Sequence, residues 1–106
     1  MNIGVDIVAI KRFKKIKKAD RTHWKNVFTD QEWDYAFLRP NPALHCAGMF
    51  AAKEAAMKAI EKAGSEYFIR HEILHKKSGA PYFKNKRFSI SISHDGLYAI
   101  AVVLYQ

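Results

Sequence analysis

An α+β fold is predicted by three features of the sequence. The first is an N-terminal segment rich in β-branched residues. The second is an alanine-rich central stretch with helical periodicity. The third is a C-terminal pair of apolar segments separated by a tight turn. A strand, then helices, then antiparallel strands is the order of an α+β domain rather than of repeated βαβ units. The 106 residues have the length of one domain, 1–106, with no repeat, low-complexity tract or linker.

Residues 2–10 place β-branched side chains around Gly4 and Asp6 and read as a strand. Residues 11–18 set Phe13 and Ile16 three apart among cations, a short helix with one apolar stripe. Thr29-Asp30-Gln31-Glu32 has the form of a capping box and starts a helix that runs to about Leu38, where Pro40 ends it and Pro42 opens the next. A long central helix is predicted from Ala43 to Ala63, with Gly64 as its stop. Its helical projection gathers Cys46, Met49, Phe50, Met57 and Ile60 into one stripe, with Glu54 at the edge beside Ala47 and Ala51. Residues 67–76 read as a strand and Ser78-Gly79-Ala80-Pro81 as a turn. Phe88 to Ser93 alternates strictly, His94-Asp95-Gly96 turns the chain, and Leu97 to Tyr105 returns as the second arm of a hairpin.

Net charge is +8, and residues 1–28 carry +6 of it: Lys11, Arg12, Lys14, Lys15, Lys17, Lys18, Arg21 and Lys25 against Asp6 and Asp20. Such a patch attracts a polyanion or an acidic protein and mainly speeds encounter. The single cysteine, Cys46, forms no intramolecular disulfide, as expected of a cytoplasmic protein. Asp6 interrupts the N-terminal apolar run, so no secretory signal is expected. The longest apolar run, Leu97 to Tyr105, is about half the ~20 residues of a membrane-spanning helix.

Five positions stand out chemically. Asp6 lies in an apolar strand, where a carboxylate is costly unless it caps a neighbouring backbone, is paired or binds a metal. Glu54 and Lys58 have the i,i+4 spacing of an ordinary surface ion pair. Lys53 projects into the apolar stripe, so it either snorkels outward or points into a site that needs a cation. His94 opens a turn, where a hydrogen-bonded histidine is the ordinary case. No GxGxxG or P-loop motif and no zinc-type His/Cys cluster occurs.

Taken together, Gly4-Val5-Asp6-Ile7-Val8, Phe50-Ala51-Ala52-Lys53-Glu54-Ala55 with Lys58-Ala59, and Ser91-Ile92-Ser93-His94 resemble the holo-acyl-carrier-protein synthase family of 4′-phosphopantetheinyl transferases. The resemblance runs in order from residue 3 to residue 104. Phe28-Thr29 with Glu32, and Gly79 with Pro81, match shorter signatures.

The resemblance implies the fold of that family and its reaction. The 4′-phosphopantetheine of coenzyme A passes to a serine of an acidic acyl carrier protein. It implies Asp6 and Glu54 as magnesium ligands, with manganese as a second candidate. Magnesium commonly takes one or two carboxylates, with phosphates and waters completing its shell. It further implies Lys58 as a catalytic phosphate contact, and Lys53, Gly79, Pro81, Ser93 and His94 as coenzyme A contacts. Arg12, extended by Lys11, Lys15, Lys18 and Arg21, would meet the carrier. Short members of the family build the site between subunits of a homotrimer.

Met49 stands where the family commonly has Arg, and Ala80 where it often has a basic residue, both on the nucleotide side. Lys62, Lys84 and Lys86 are the cations expected to compensate. Three other readings remain: the same chemistry on a peptidyl or polyketide carrier, a non-catalytic carrier-binding module, and a nucleic-acid-binding protein. The last rests on charge alone and leaves the Asp6 and Glu54 pair unexplained.

Overall fold

The computed structural model describes residues 2–64 and 66–106. Strand β1 (Asn2–Ala9) pairs antiparallel with the last strand, β5 (Tyr98–Tyr105), which pairs in turn with β4 (Phe88–Asp95). The sheet order is therefore β1-β5-β4, with the first strand on one edge. The β4–β5 hairpin closes through Gly96 and Leu97, with Gly96 at φ 57°. Glycine takes that conformation at no steric cost. Two short strands, β2 (Ile73–His75) and β3 (Pro81–Phe83), form a separate ribbon.

Four helices precede or interrupt the strands: α1 (Arg21–Trp24), α2 (Asp30–Phe37), α3 (Pro42–Ile60) and α4 (Glu66–Arg70). The capping box is formed. The Thr29 hydroxyl accepts from the Glu32 N–H, and the Thr29 N–H donates to Glu32 Oε1 at 2.8 Å. Asn41 caps α3 and Pro42 occupies its first turn.

Helix α3 is buried on two opposite sides. Its alanines, among them Ala47, Ala51, Ala55 and Ala59, are inaccessible to solvent. On that side the inner face of the sheet, carrying Gly4, Val8, Ala99, Ala101 and Val103, is buried as well. The approach is backbone on backbone: a Cβ added to Gly4 would lie 1.9 Å from the Ala55 carbonyl oxygen and 2.9 Å from the Ala59 nitrogen. On another side an aromatic cluster packs, with Phe13 tilted against Phe50 at 5.7 Å and against Trp24 at 5.4 Å, and Phe50 edge-on to Phe68.

Lys53 corrects the sequence reading. It neither snorkels nor points into an open site. Its side chain is wholly buried, with Nζ 2.7 Å from Glu32 Oε1 and donating to the Phe68 carbonyl. Glu32 in turn accepts from the Ile73 N–H at 2.8 Å and from Thr29, and the Thr29 hydroxyl donates to Glu72. One ion pair thus joins α2, α3, α4 and β2. Burial pushes the Glu32 carboxyl up and the Lys53 ammonium down, and each partner pulls the other back. Lys53 is fully spent inside the core and is withdrawn from the coenzyme A contacts.

Three element assignments also change. Residues 67–76 are not one strand: Glu66–Arg70 is helical and only Ile73–His75 is extended. A short apolar run carries no period that separates the two states. Helix α3 ends at Ile60, and Glu61, at φ 58°, makes the left-handed cap in place of Gly64. The basic segment expected to be one helix over 11–18 is a 3-10 turn at Ile10–Phe13, with a second at Lys18–Asp20 leading into α1. Its apolar stripe survives, with Phe13 buried and Ile16 half-buried.

Gly4→Ala is expected to lower stability by about 1–3 kcal/mol or more, since overpacking here meets main chain that cannot rotate away. An unchanged urea midpoint would contradict the backbone contact. Lys53→Met, which strands a buried Glu32 carboxylate, is expected to cost about 3–5 kcal/mol, and adding Glu32→Gln to restore part of it. If Lys53→Met left the urea midpoint intact, the buried pair would not hold these four elements together.

Candidate active site

The edge strand and the central helix bring three of the singled-out residues together. Gly4, Asp6 and Val8 point to one face of β1, and the Gly4 contact sets that face directly on the last turns of α3. Lys58 reaches across from α3: its Nζ donates to the Val5 carbonyl at 3.0 Å and lies 3.3 Å from Asp6 Oδ1. The bridge joins β1 to the helix, so Lys58 pairs with Asp6 rather than with Glu54, as its i,i+4 spacing alone would have it. Asp6 is mostly covered at 17% side-chain exposure, whereas Lys58 is 56% exposed.

Glu54, half-buried one turn before Lys58, has its carboxyl held above the usual range. Burial is the first cause and the negative Asp6 the second, while Lys58 and Arg12 draw it back. Two carboxylates forced together in a partly dry setting are relieved by a cation between them. Among the described residues no cluster of three or more acidic, histidine or cysteine side chains could hold a metal, so no closed structural site occurs there. The all-oxygen pair Asp6 and Glu54 does fit magnesium, which takes few carboxylates and leaves room for phosphate oxygens. Cys46 takes no part: it is buried, and burial pushes its thiol up to about 12.

The basic segment lies next to this pair. The Arg12 guanidinium sits 5.0 Å over the Phe50 ring, close enough to Glu54 to act on its ionisation. Lys15 and Lys18 are exposed, and the Lys18 carbonyl accepts from the Trp33 indole at 3.1 Å. Arg21, expected on the carrier surface, is partly covered. Its Nε donates to Asp30 Oδ1 at 2.8 Å and its guanidinium lies over Trp33, so its charge is already answered. Lys11 turns elsewhere, into a cleft of about 380 Å³ that it lines with Lys14, Asn41, His94, Leu97 and Tyr98.

Gly79, Pro81 and His94 share a second cleft, of about 170 Å³, beside the first half of α3. Glu54 lies six residues beyond Gly48 of that wall, ~9 Å along the helix axis. His94 and Asp6 are on the two outer strands of the sheet, ~10 Å apart across two strand spacings. Within one chain, therefore, the carboxylate pair and the His94 cleft are separate. Ser93 sits on the opposite face of β4 from His94, opposite Ile100. Lys62, Lys84 and Lys86 do not line the His94 cleft; Tyr35, His45 and His75 do. These three come from α2, α3 and β2, so no local motif announces them, and of the five histidines the sequence singles out only His94.

Known proteins resemble the chain along nearly its whole length. A family model described as the 4′-phosphopantetheinyl transferase superfamily matches residues 2–103. The chain is 41% identical to a holo-[acyl-carrier-protein] synthase of Thermodesulfovibrio yellowstonii, covering 96% of this chain and 95% of that one. Its fold is similar to the crystal structure of Helicobacter pylori holo-[acyl-carrier-protein] synthase in complex with coenzyme A. The TM-score is 0.81 at 32% identity, covering 98% of this chain and 99% of that one. A Bacillus anthracis holo-(acyl-carrier-protein) synthase in complex with CoA (3′,5′-ADP) superposes with a TM-score of 0.78 at 30% identity, covering 96% and 92%. With its strand-one aspartate laid against the glutamate and lysine of the central helix, and with relatives matching end to end, the chain belongs to the holo-acyl-carrier-protein synthases of the 4′-phosphopantetheinyl transferase superfamily.

Proposed function

We propose that the chain transfers 4′-phosphopantetheine from coenzyme A to a serine of an acidic apo-acyl carrier protein, giving holo-carrier and 3′,5′-ADP, with magnesium held by Asp6 and Glu54. The observation that carries this is the crowding of those two carboxylates at an open sheet edge, beside Lys58 and Arg12. The coenzyme A named in two of the similar structures supports the donor.

In this reading the serine oxygen bonds to the β-phosphorus of the coenzyme A diphosphate. The bond from that phosphorus to the bridging oxygen breaks, 3′,5′-ADP leaves with the electron pair, and the serine proton passes to water. When bound, the metal neutralises phosphate charge as it shifts toward the leaving group. Lys58 moves its exposed ammonium from the Val5 carbonyl to a phosphate oxygen, which frees Asp6 for the cation. Arg12, with Lys15 and Lys18, holds the acidic helix of the carrier so that its serine reaches the carboxylates. Hydrogen bonds and ion pairs of this charge-assisted kind orient as well as attract.

The active assembly is a homotrimer. The outer face of the sheet carries Ile3, Val5, Ile7, Ile100 and Val102, which are 37–65% exposed, a contiguous apolar surface of the kind that marks an interface. Ser93 lies on that face, and in the proposed trimer a neighbouring copy supplies the His94 cleft that lies apart from the carboxylates within one chain. The setting is cytoplasmic; the lone buried Cys46 is in keeping with it, and among the described residues no helix is long and apolar enough to cross a membrane.

Incubation with coenzyme A, magnesium and apo-acyl carrier protein is expected to add one phosphopantetheine to the carrier, seen by intact mass. Asp6→Ala and Glu54→Ala should each abolish the gain, whereas retained activity in both would remove the metal pair. Including peptidyl and polyketide carriers in the same panel identifies the preferred acceptor. Val5→Arg is expected to convert a trimer, measured by light scattering, to an inactive monomer; a fully active wild-type monomer would refute the shared site.

A further inference from the structure

Four charges act on one another where β1 meets α3. Asp6 and Lys58 are paired directly. Glu54 and Arg12 are not: among the described residues neither lies within ion-pair distance of an opposite charge. Arg12 precedes the buried Phe13, whose ring packs against Phe50 at 5.7 Å and pins the 3-10 turn to the helix. The Arg12 guanidinium rests 5.0 Å over the same Phe50 ring. Phe50, Glu54 and Lys58 follow one another at four-residue intervals on α3, so they stack along one side of it. Glu54 is therefore bracketed, with Arg12 one turn before it and Lys58 one turn after.

This bracket balances the site while it holds no metal. Burial and Asp6 raise the Glu54 carboxyl, and Lys58 and Arg12 draw it back. Two carboxylates face two cations, so their charges cancel. A divalent cation at the carboxylates then lies in the repulsive field of both neighbours, unless each is drawn off by an anion. The transferase reading gives Lys58 to the diphosphate. Arg12 is exposed and is held by a ring face rather than by a carboxylate. Its planar fork of N–H donors suits bidentate pairing with a carboxylate from outside.

We infer that Arg12 is a hand-over residue, which balances Glu54 while the metal is absent and passes to a carboxylate of the arriving carrier, so that carrier and metal each tighten the binding of the other. The inference rests on the transferase reading and assigns within it the link between the metal pair and the carrier surface. Drawing Arg12 away removes a positive neighbour from the cation. Conversely, a cation at Glu54 repels Arg12 toward the carrier. These are one coupling read from its two ends, so the two gains in affinity are equal. An exposed arginine acting across partly screened space sets the gain at about two- to fivefold.

The test uses the full chain saturated with coenzyme A, and a fluorescent carrier whose acceptor serine is replaced by alanine so that nothing turns over. Carrier affinity is read by anisotropy with and without magnesium. Metal affinity without carrier is read from the electron paramagnetic resonance of free manganese. The wild type is expected to bind carrier about two- to fivefold more tightly with magnesium, and Glu54→Ala to lose that gain. Arg12→Gln should move the two affinities in opposite directions, manganese tighter and carrier weaker, with the magnesium gain gone. Lys15→Gln removes an exposed cation of the same surface that does not act on Glu54. It should weaken the carrier alone and leave manganese binding and the magnesium gain intact. Carrier binding indifferent to magnesium in the wild type, or manganese binding unchanged or weakened in Arg12→Gln, overturns the inference and leaves the transferase reading standing. Failure of the wild type to bind manganese with coenzyme A present sinks both.

Discussion

The contact between the main chains of β1 and α3 is the constraint from which the rest follows. Gly4 has no Cβ, and the helix beneath it offers alanine, so strand and helix approach to backbone contact. An approach this close fixes where the next inward residue of the strand goes. Asp6 is that residue; it pairs with Lys58, and its charge acts on Glu54, which the helix presents one turn before. A bulkier residue at Gly4 would lift the strand and separate the carboxylates. The small residues of α3 are thus part of the site, although none of them carries chemistry.

A second constraint keeps α3 in place from the far side. Lys53 and Glu32 are a buried ion pair whose spare hydrogen-bonding capacity is met by Phe68, Ile73 and Thr29. Such pairs are weak sources of net stability but expensive to break singly, so they discriminate against alternative packings. Here the pair locks the register of α3 relative to α2 and to the start of β2. Register matters because adjacent residues of the helix do opposite things. Lys53 is consumed by the core while Glu54, one position on, is half-buried within the field of Asp6, Lys58 and Arg12.

The molecule therefore divides its basic residues by role. Lys53 is structural, Arg21 is answered by Asp30, Arg12 lies over Phe50 within the field of Glu54, and Lys58 pairs with Asp6. The uncovered apolar face of the sheet and the separation of the His94 cleft from the carboxylates are the two features that the proposed homotrimer would account for together.

The sequence by itself determined much of this. The capping box at Thr29, the alternation of Phe88 to Ser93, the long alanine helix and the motif triplet around Asp6, Glu54 and Ser93-His94 are local patterns, and local patterns are legible because spacing along the chain dictates them. It misread residues 67–76, where three adjacent apolar residues have no period, and it placed the end of α3 at a glycine when Glu61 takes the left-handed turn. What only the tertiary structure decided are the pairings between distant elements. That Lys53 belongs to Glu32, that Lys58 belongs to Asp6, and that His45 and His75 join His94 depends on the meeting of residues 19 to 52 positions apart. No rule of spacing reaches that far; packing alone brings those groups together.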